Sequence, residues 1–197
     1  MLIYGAGGHA KVIISIIRAN GGKINGIYDD DLTKQEISGI VVSGAYNALH
    51  LPDEDLIIAI GNNVVRKKIS SLVHHAFGTA IHPTASIDPG IKVGMGTCVM
   101  HHAVIQAGST VGNHVIINTS ASVDHDCHIG DFAHLAPGVI LAGHVKIGVN
   151  TLIGTGSIVA PGLTIGKNCV VGAGSVVTKN IPDGSTVLGN PARIINR

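Results

Sequence analysis

The sequence has 197 residues, a formal net charge of +1, no block of lysine and arginine, and only 3% aromatic residues. This composition excludes the basic surface and the stacking aromatic side chains by which proteins bind nucleic acid. No apolar run reaches the ~18 residues of a membrane span. The N-terminus lacks the features of a signal peptide, and three widely spaced cysteines predict reduced thiols in a cytoplasmic protein.

Residues 1–76 alternate between strand and helix patterns. The apolar segments MLIY, KINGIYDDD and DLIIAIGNN predict strands, and AKVIISIIRANGG and VVRKKISSLVHHA predict helices. This alternation predicts a small parallel sheet with right-handed crossovers. The region holds only about half of a doubly wound α/β fold, so we expect a half-Rossmann-like domain.

A glycine-rich turn, GAGGHA, follows the first strand. Such a turn can hold a phosphate with backbone N–H groups at a helix N-terminus. Two acids, Asp29 and Asp30, follow about 20 residues later, where a carboxylate can bind a ribose hydroxyl. A mononucleotide carrying a sugar fits so small a domain better than NAD does. A tight turn without a ligand is the alternative.

From Ile81 to Val177, every sixth residue is aliphatic. This period is typical of the hexapeptide repeat of a parallel β-helix, in which three flat sides make a coil of 18 residues. Each aliphatic side chain should point to the axis, and the glycine that often follows it should help the chain turn. A β-helix domain is therefore predicted over residues 77–197, with a capping tail after about residue 178. So narrow a solenoid favours trimerisation.

The segment VDHDCH, residues 123–128, concentrates candidate chemistry. Because Val123 points inward, His125 should lie at the corner that follows. Cys127 falls at a small packing position, and His128 should be a surface or interface histidine. Gly143, 18 residues after His125, should lie one coil above it with its N–H facing the same space. An imidazole base beside a backbone N–H donor suits acyl transfer.

Taken together, GAGGHA, the hexapeptide repeats with NTSASVDHDCHIGDFAHLAPGV, and GNPAR resemble the sialic acid O-acetyltransferase group of left-handed β-helix acyltransferases. Within that group the chain looks most similar to the bacterial N-acetyltransferases of UDP-linked 4-amino-4,6-dideoxy-sugars, which serve surface glycan and glycoprotein biosynthesis. The resemblance covers essentially the whole chain.

The resemblance implies a homotrimer that uses acetyl-CoA as co-substrate, with no permanently bound cofactor and no metal. It implies His125 as the general base and Asp126 as the residue that tunes it, although close relatives have the longer glutamate there. The acetyl-CoA contacts that it implies fall on His134, Gly143, Thr155 and Ala173. The nucleotide-sugar contacts fall on Gly7, Gly8, His9, Asp29, Asp30 and Gly61.

Several alternatives stay open at this point. His125 could be a solvated corner histidine, and His134 could be an interface histidine without a ligand. The acceptor could be a hydroxyl, as on sialic acid. Zinc-dependent hexapeptide-repeat enzymes of the carbonic anhydrase type also assemble histidine ligands between subunits. A non-catalytic scaffold would leave the glycine turn and the corner histidine unused. His134 lies half a coil from His125, so a site that contains both residues requires two subunits.

Overall fold

The computed structural model describes residues 1–195. It consists of an α/β region followed by a left-handed parallel β-helix of about 6 turns, which confirms the predicted fold class. Among the described residues, neither helix has the length and apolar character that a membrane crossing requires.

The α/β region follows the predicted order and adds one hairpin. Its elements are β1 Leu2–Tyr4, α1 Gly8–Ala19, β2 Gly26–Tyr28, β3 Glu36–Ile37, β4 Ile40–Val41, β5 Leu56–Ile58 and α2 Asn63–Ser70. β1 pairs in parallel with β2 on one side and with β5 on the other. β3 and β4 form the antiparallel hairpin, which the sequence did not predict. β1, β2 and β5 are completely buried, as expected for parallel strands covered on both faces.

Both predicted helices are present, with different ends. α1 buries Ile13, Ile14, Ile16 and Ile17 on one face, which is the spacing that an amphipathic helix requires. α2 begins after Asn62, whose side chain caps it by accepting from the Val65 N–H at 3.0 Å. It ends at Ser70, six residues before its predicted end, because the following segment returns to the sheet. There the Leu56 N–H donates to the Ala76 carbonyl at 2.8 Å.

The β-helix has three faces, each a stack of short parallel strands. The first face contains Ala80–Ile81, Cys98–Val99, Ile116–Ile117, His134–Leu135, Leu152–Ile153, Val170–Val171 and Thr186–Leu188, followed by antiparallel Arg193–Ile194. The second contains Ser86–Ile87, Val104–Ile105, Ser122–Val123, Ile140–Leu141, Ile158–Val159 and Val176–Val177. The third contains Thr110–Val111, His128–Ile129, Lys146–Ile147 and Thr164–Ile165. We call the turn after each face the first, second and third corner. The second corner therefore lies opposite the first face.

The aliphatic residues of the repeat form the core column as predicted, but the prediction for the glycines that follow them was wrong. Gly130, for example, does not have a positive φ, and a Cβ on it would lie 2.8 Å from the Val149 nitrogen in the next coil. These glycines therefore allow the coils to approach closely. From Ile87 to Val171, the chain turns instead at the residue three after each aliphatic position, such as Gly108 and Asp126, which adopts the left-handed conformation.

The two regions share a continuous apolar core. Ile3 and Ile57 of the α/β sheet cluster with Cys98, Met100 and Ile116 of the first face. The division after residue 76 stays a prediction, because the core runs across it. The predicted tail adds a strand to the first face at Thr186–Leu188, so the coil continues past residue 178. Residues 196 and 197, the end of that tail, lie outside the described residues.

Candidate active site

His125 lies at the second corner, as predicted. Its backbone N–H donates to the Asp124 Oδ1 at 2.7 Å, which fixes the start of the turn. Its side chain is half exposed and can therefore meet a substrate directly. Cys127, two residues later, is buried in the core column, and His128 is exposed on the third face, both as expected.

Asp126 fixes the orientation and proton affinity of the His125 imidazole. Its Oδ2 lies 2.8 Å from the His125 Nδ1. This hydrogen bond raises the pKa of His125 above its ordinary value and lowers the pKa of Asp126. A carboxylate at Nδ1 favours the tautomer with its proton on that nitrogen, so the Nε2 lone pair is left to accept a proton.

Gly143 lies directly above the His125 ring, one coil further along. A Cβ on Gly143 would be 2.6 Å from the His125 Nε2, so the imidazole occupies the space that a side chain would need. Among residues 1–195, no acceptor is recorded for the Gly143 N–H, whereas the next N–H, that of His144, donates to the His125 carbonyl at 3.0 Å. A proton acceptor and a donor N–H thus lie side by side.

His144 completes a cluster of three polar side chains at this corner. Its Nε2 lies 3.8 Å from the Asp126 Oδ2. One nitrogen or oxygen atom from each of His125, Asp126 and His144 lies within 4.8 Å of the others, so the group offers ligands suitable for a transition metal. The zinc alternative therefore predicts a metal ion at this cluster.

The glycine turn forms one wall of a pocket of about 370 Å³ at the carboxyl end of the α/β sheet. Gly5 has a φ of +110°, and a side chain there would also meet the Ala59 carbonyl at 3.0 Å. By contrast, Gly7, Gly8 and Gly61 have open space where a Cβ would be, so a ligand can approach their backbone. The Lys34 side chain also lines the pocket, and the sequence analysis did not identify it.

The two predicted ribose-binding acids have different environments. Asp29 is buried, and its carboxylate accepts from the Ala6 N–H at 2.6 Å, the Asp31 N–H at 2.9 Å and the Lys34 Nζ at 2.9 Å. Burial opposes ionisation of Asp29, but these hydrogen bonds outweigh it and lower the pKa. Asp30 is exposed, and within residues 1–195 it accepts only from the Tyr4 hydroxyl, at 2.8 Å. Asp29 therefore organises the turn, and Asp30 is the acid with a free carboxylate oxygen.

His9 and His134 face each other where the α/β region meets the first face. Burial lowers the pKa of each to about 4, so both are neutral at physiological pH. His134 donates from Nδ1 to the Gly61 carbonyl at 3.2 Å and accepts at Nε2 from the Asn118 side chain at 3.2 Å. The His9 Nε2 is buried without a hydrogen-bond partner among the described residues, beside the pocket. It is thus a buried nitrogen whose hydrogen-bonding capacity is unused among the described residues.

Arg66 joins the two regions, and among the described residues it has no carboxylate partner. It is 1% exposed and donates to the Ile60 carbonyl at 3.0 Å, the His114 carbonyl at 2.9 Å and the Phe132 carbonyl at 2.8 Å. The pocket wall that ends at Gly61 is therefore tied to the third corner of the β-helix.

The predicted residues thus fall in three places within one chain. Of the nucleotide-sugar candidates, all but Asp30 line the pocket, which Asp30 adjoins through Asp29, and His134 lies on the first face. Thr155 and Ala173 are exposed on adjacent coils of the first corner, while His125 and Gly143 lie at the second corner. The roles of all these residues stay predictions.

Comparison with known proteins agrees with both regions. The family model of the PglD N-terminal domain matches residues 1–73, and that of the hexapeptide repeat of succinyl-transferase matches residues 144–179. GDP-perosamine N-acetyltransferase of Escherichia coli O157:H7 is 31% identical over 211 residues, covering 99% of this chain and 96% of that protein. This chain belongs to the hexapeptide-repeat acyltransferases.

Solved structures of this acyltransferase family include a close match to the whole chain. A histidine-to-asparagine variant of perosamine N-acetyltransferase from Caulobacter crescentus, in complex with CoA and GDP-perosamine, superposes with a TM-score of 0.96 at 39% identity. The superposition covers 100% of this chain and 96% of the Caulobacter crescentus chain.

Other relatives of the acyltransferase are matched only in part. UDP-N-acetylbacillosamine N-acetyltransferase of Bacillus subtilis is 39% identical over 50% of each protein. The uncharacterized protein L142 of Acanthamoeba polyphaga mimivirus is 38% identical over 57% of this chain, which is 23% of its own length. The chain thus spans half or less of these two relatives.

Sequence reasoning missed four residues of the acyltransferase that now stand near the candidate sites: Lys34, Arg66, Asn118 and His144. Lys34 follows an acidic turn, and a lone lysine there carries little signal. The sequence did contain a signal for His144, which lies 18 residues after Asp126. The repeat therefore places it one coil above Asp126.

Proposed function

We propose that the protein transfers the acetyl group of acetyl-CoA to the amine of a nucleotide-linked 4-amino-4,6-dideoxy-sugar. The observation that carries this proposal is the second corner, where the His125 Nε2 lies beside the Gly143 N–H and neither has a hydrogen-bond partner in the described part of the chain. The relatives that match nearly the whole chain are named as sugar N-acetyltransferases. A cytoplasmic location stays a prediction.

The proposed reaction is a direct transfer within a ternary complex. The His125 Nε2 accepts a proton as the sugar nitrogen attacks the thioester carbonyl, and the Gly143 N–H stabilises the resulting oxyanion. Collapse of the tetrahedral intermediate breaks the carbon–sulfur bond, and the departing CoA thiolate takes the proton from the His125 imidazolium, which regenerates the base. Cys127 is buried and its pKa is raised by burial, so it is a poor candidate for an acyl-enzyme nucleophile.

The glycine-turn pocket is the proposed site for the nucleotide. The open backbone at Gly7 and Gly8, at the N-terminus of α1, and the Lys34 ammonium suit a diphosphate. The exposed carboxylate of Asp30 suits a ribose hydroxyl better than that of Asp29, which is occupied. The unpaired His9 Nε2 suits a polar group of the same ligand.

The base of the nucleotide is the point on which the relatives differ. The sequence-based prediction was a UDP-linked sugar, but the relatives that cover almost the whole chain include GDP-perosamine enzymes. GDP-linked and UDP-linked 4-amino-sugars should therefore be tested side by side, with CoA thiol release as the readout. Turnover of sialic acid, with none of any amino-sugar, would replace this proposal by O-acetylation. Measurement of bound metal together with hydratase activity tests the zinc alternative.

We propose a homotrimer in which neighbouring chains complete each site. The pocket lies on the side of the first face, and the His125 corner lies opposite that face, across a prism with sides of roughly 15–20 Å. Within one chain the two proposed sites are therefore far apart. A neighbouring chain can place its own His125 corner next to the pocket. Sedimentation should give about three times the mass of the 20.1 kDa chain.

The shared site can be tested by mixing variants. If His134→Ala proves defective alone, trimers that combine His125→Ala and His134→Ala chains should recover activity, because some interfaces receive both histidines. A fully active monomer, or no recovery in demonstrably mixed trimers, would place the site within one chain.

A further inference from the structure

The left-handed positions of the second corner form a column through the β-helix. From one end to the other the column reads Gly90, Gly108, Asp126, His144 and Gly162, all with positive φ. Glycine adopts this conformation without the clash that a Cβ introduces. The column departs from glycine only in the two coils beside His125. Left-handed positions of the third corner, such as His114 and Asn168, also carry side chains, so the case for a function at His144 rests on its contacts with His125 and Asp126.

The Asp126 side chain accounts for one of these departures, because it binds the His125 Nδ1. The His144 side chain contacts both members of that pair. Its Nε2 lies 3.8 Å from the Asp126 Oδ2, within ion-pair range, and its ring packs edge-on against the His125 ring with centroids 5.0 Å apart and planes at 89°. In addition, the His144 N–H donates to the His125 carbonyl at 3.0 Å.

These contacts restrict the motions that would misdirect the base. Both His125 and Asp126 are about half exposed, so the surrounding protein holds neither side chain by burial. Without the His144 ring, the His125 imidazole could rotate away from Gly143, and the Asp126 carboxylate could turn toward water. The His144 side chain is itself 64% exposed and does not pack on the apolar column. Within the described residues, the core therefore does not require a histidine at this position.

We propose that His144 is a positioning residue that holds the His125–Asp126 pair with Nε2 directed at the acceptor amine beside the Gly143 N–H. This inference rests on the proposed function for its kinetic consequence. The geometric part, that His144 orders the imidazole of His125, holds independently of the substrate.

The His144→Gly variant separates positioning from folding, because glycine suits the left-handed conformation. We expect its melting temperature to stay equal or rise while kcat falls about tenfold, with KM for both substrates within about twofold of wild type. His144→Gln, which restores a side-chain amide donor toward Asp126, should recover most of kcat. Asn168→Gly is the matched control, since Asn168 is also exposed and left-handed but lies at the third corner. Its kcat should stay within about twofold of wild type.

A second measurement tests the inference without turnover. The imidazole NMR resonances of His125 should change in chemical shift and broaden in His144→Gly, and stay near wild type in Asn168→Gly. Unchanged His125 resonances would overturn the inference whether or not a substrate is known. Wild-type kcat in His144→Gly, or a loss of kcat matched by a loss of melting temperature, would also overturn it. A wild-type enzyme that turns over no amino-sugar would instead count against the proposed function alone.

Discussion

The second corner and the junction between the two regions are both rich in histidine, yet they affect the imidazole in opposite ways. At the corner, His125 is half exposed and a hydrogen bond to Asp126 raises its pKa. At the junction, burial lowers the pKa of His9, His114 and His134 to about 4 in each case, and the Arg66 charge contributes in the same direction. The same side chain is thus a candidate proton acceptor in one place and a neutral packing and hydrogen-bonding group in the other.

The contrast also separates function from stability. Side chains at the corner can be removed without opening the core, whereas those at the junction hold the two regions together. The predictions below test this division, from the largest expected effect to the smallest.

Replacing the base should have the largest effect. His125→Ala should lower kcat by roughly 10²- to 10⁴-fold, the usual contribution of a general base, because it removes the proton acceptor that lies against Gly143. The melting temperature should not change, since the side chain is half exposed. Steady-state kinetics and thermal unfolding provide the two readouts. His128→Ala is the control on the neighbouring third face. Near wild-type turnover in His125→Ala would show that this corner does not carry the chemistry.

Removal of the junction arginine should mainly affect stability. Arg66→Met should lower the free energy of unfolding by about 3 kcal/mol, because several buried carbonyl groups lose their donor. Urea unfolding measures this change. Arg18→Met, at an exposed arginine that donates to the Ser38 carbonyl, should cost less than about 0.5 kcal/mol. Equal effects in the two variants would mean that the buried contacts of Arg66 contribute little.

Acid should destabilise the junction before it affects most carboxylates. The pKa values of His9, His114 and His134 are about 4 in the folded protein, and the ordinary value is about 6.5. The unfolded chain therefore binds more protons between these values. Stability should be constant above about pH 6.5 and fall as the pH approaches 4, by on the order of 2 kcal/mol per histidine.

The matched variant is His134→Gln, which keeps an amide for the bonds to Gly61 and Asn118 but does not titrate. Its unfolding free energy should depend less steeply on pH over this window, whereas that of His128→Gln should follow wild type. Identical pH dependence in all three proteins would show that His134 is not responsible.

Removal of the tuning carboxylate should have the smallest effect. Asp126→Gly, which keeps a residue suited to the left-handed turn, should move the acid limb of the kcat profile to lower pH, because the raised pKa of His125 depends on this hydrogen bond. The plateau should fall about tenfold as the imidazole loses its preferred tautomer. Asp126→Glu should retain the wild-type limb. If the acid limb does not move in Asp126→Gly, that limb reports the titration of a group other than His125.

The sequence alone determined most of the architecture. The six-residue period placed the aliphatic residue of each face correctly from Ile81 to Val177, because a solenoid repeats one local environment. The same arithmetic placed Gly143 above His125. The sequence also predicted the strand–helix alternation of the first region and the family resemblance, and both predictions are confirmed.

The tertiary structure decided what depends on contacts between distant residues. The pairing of Arg66 with the His114 and Phe132 carbonyls joins residues 48 and 66 positions apart, which no local pattern encodes. Asp29 and Asp30 differ because the glycine turn and Lys34 donate hydrogen bonds to the Asp29 carboxylate and leave that of Asp30 exposed. The proton affinities of the histidines likewise follow from burial and from individual hydrogen bonds. A repeat specifies the position of a side chain along the solenoid, but the neighbouring region determines how much water and charge that side chain meets.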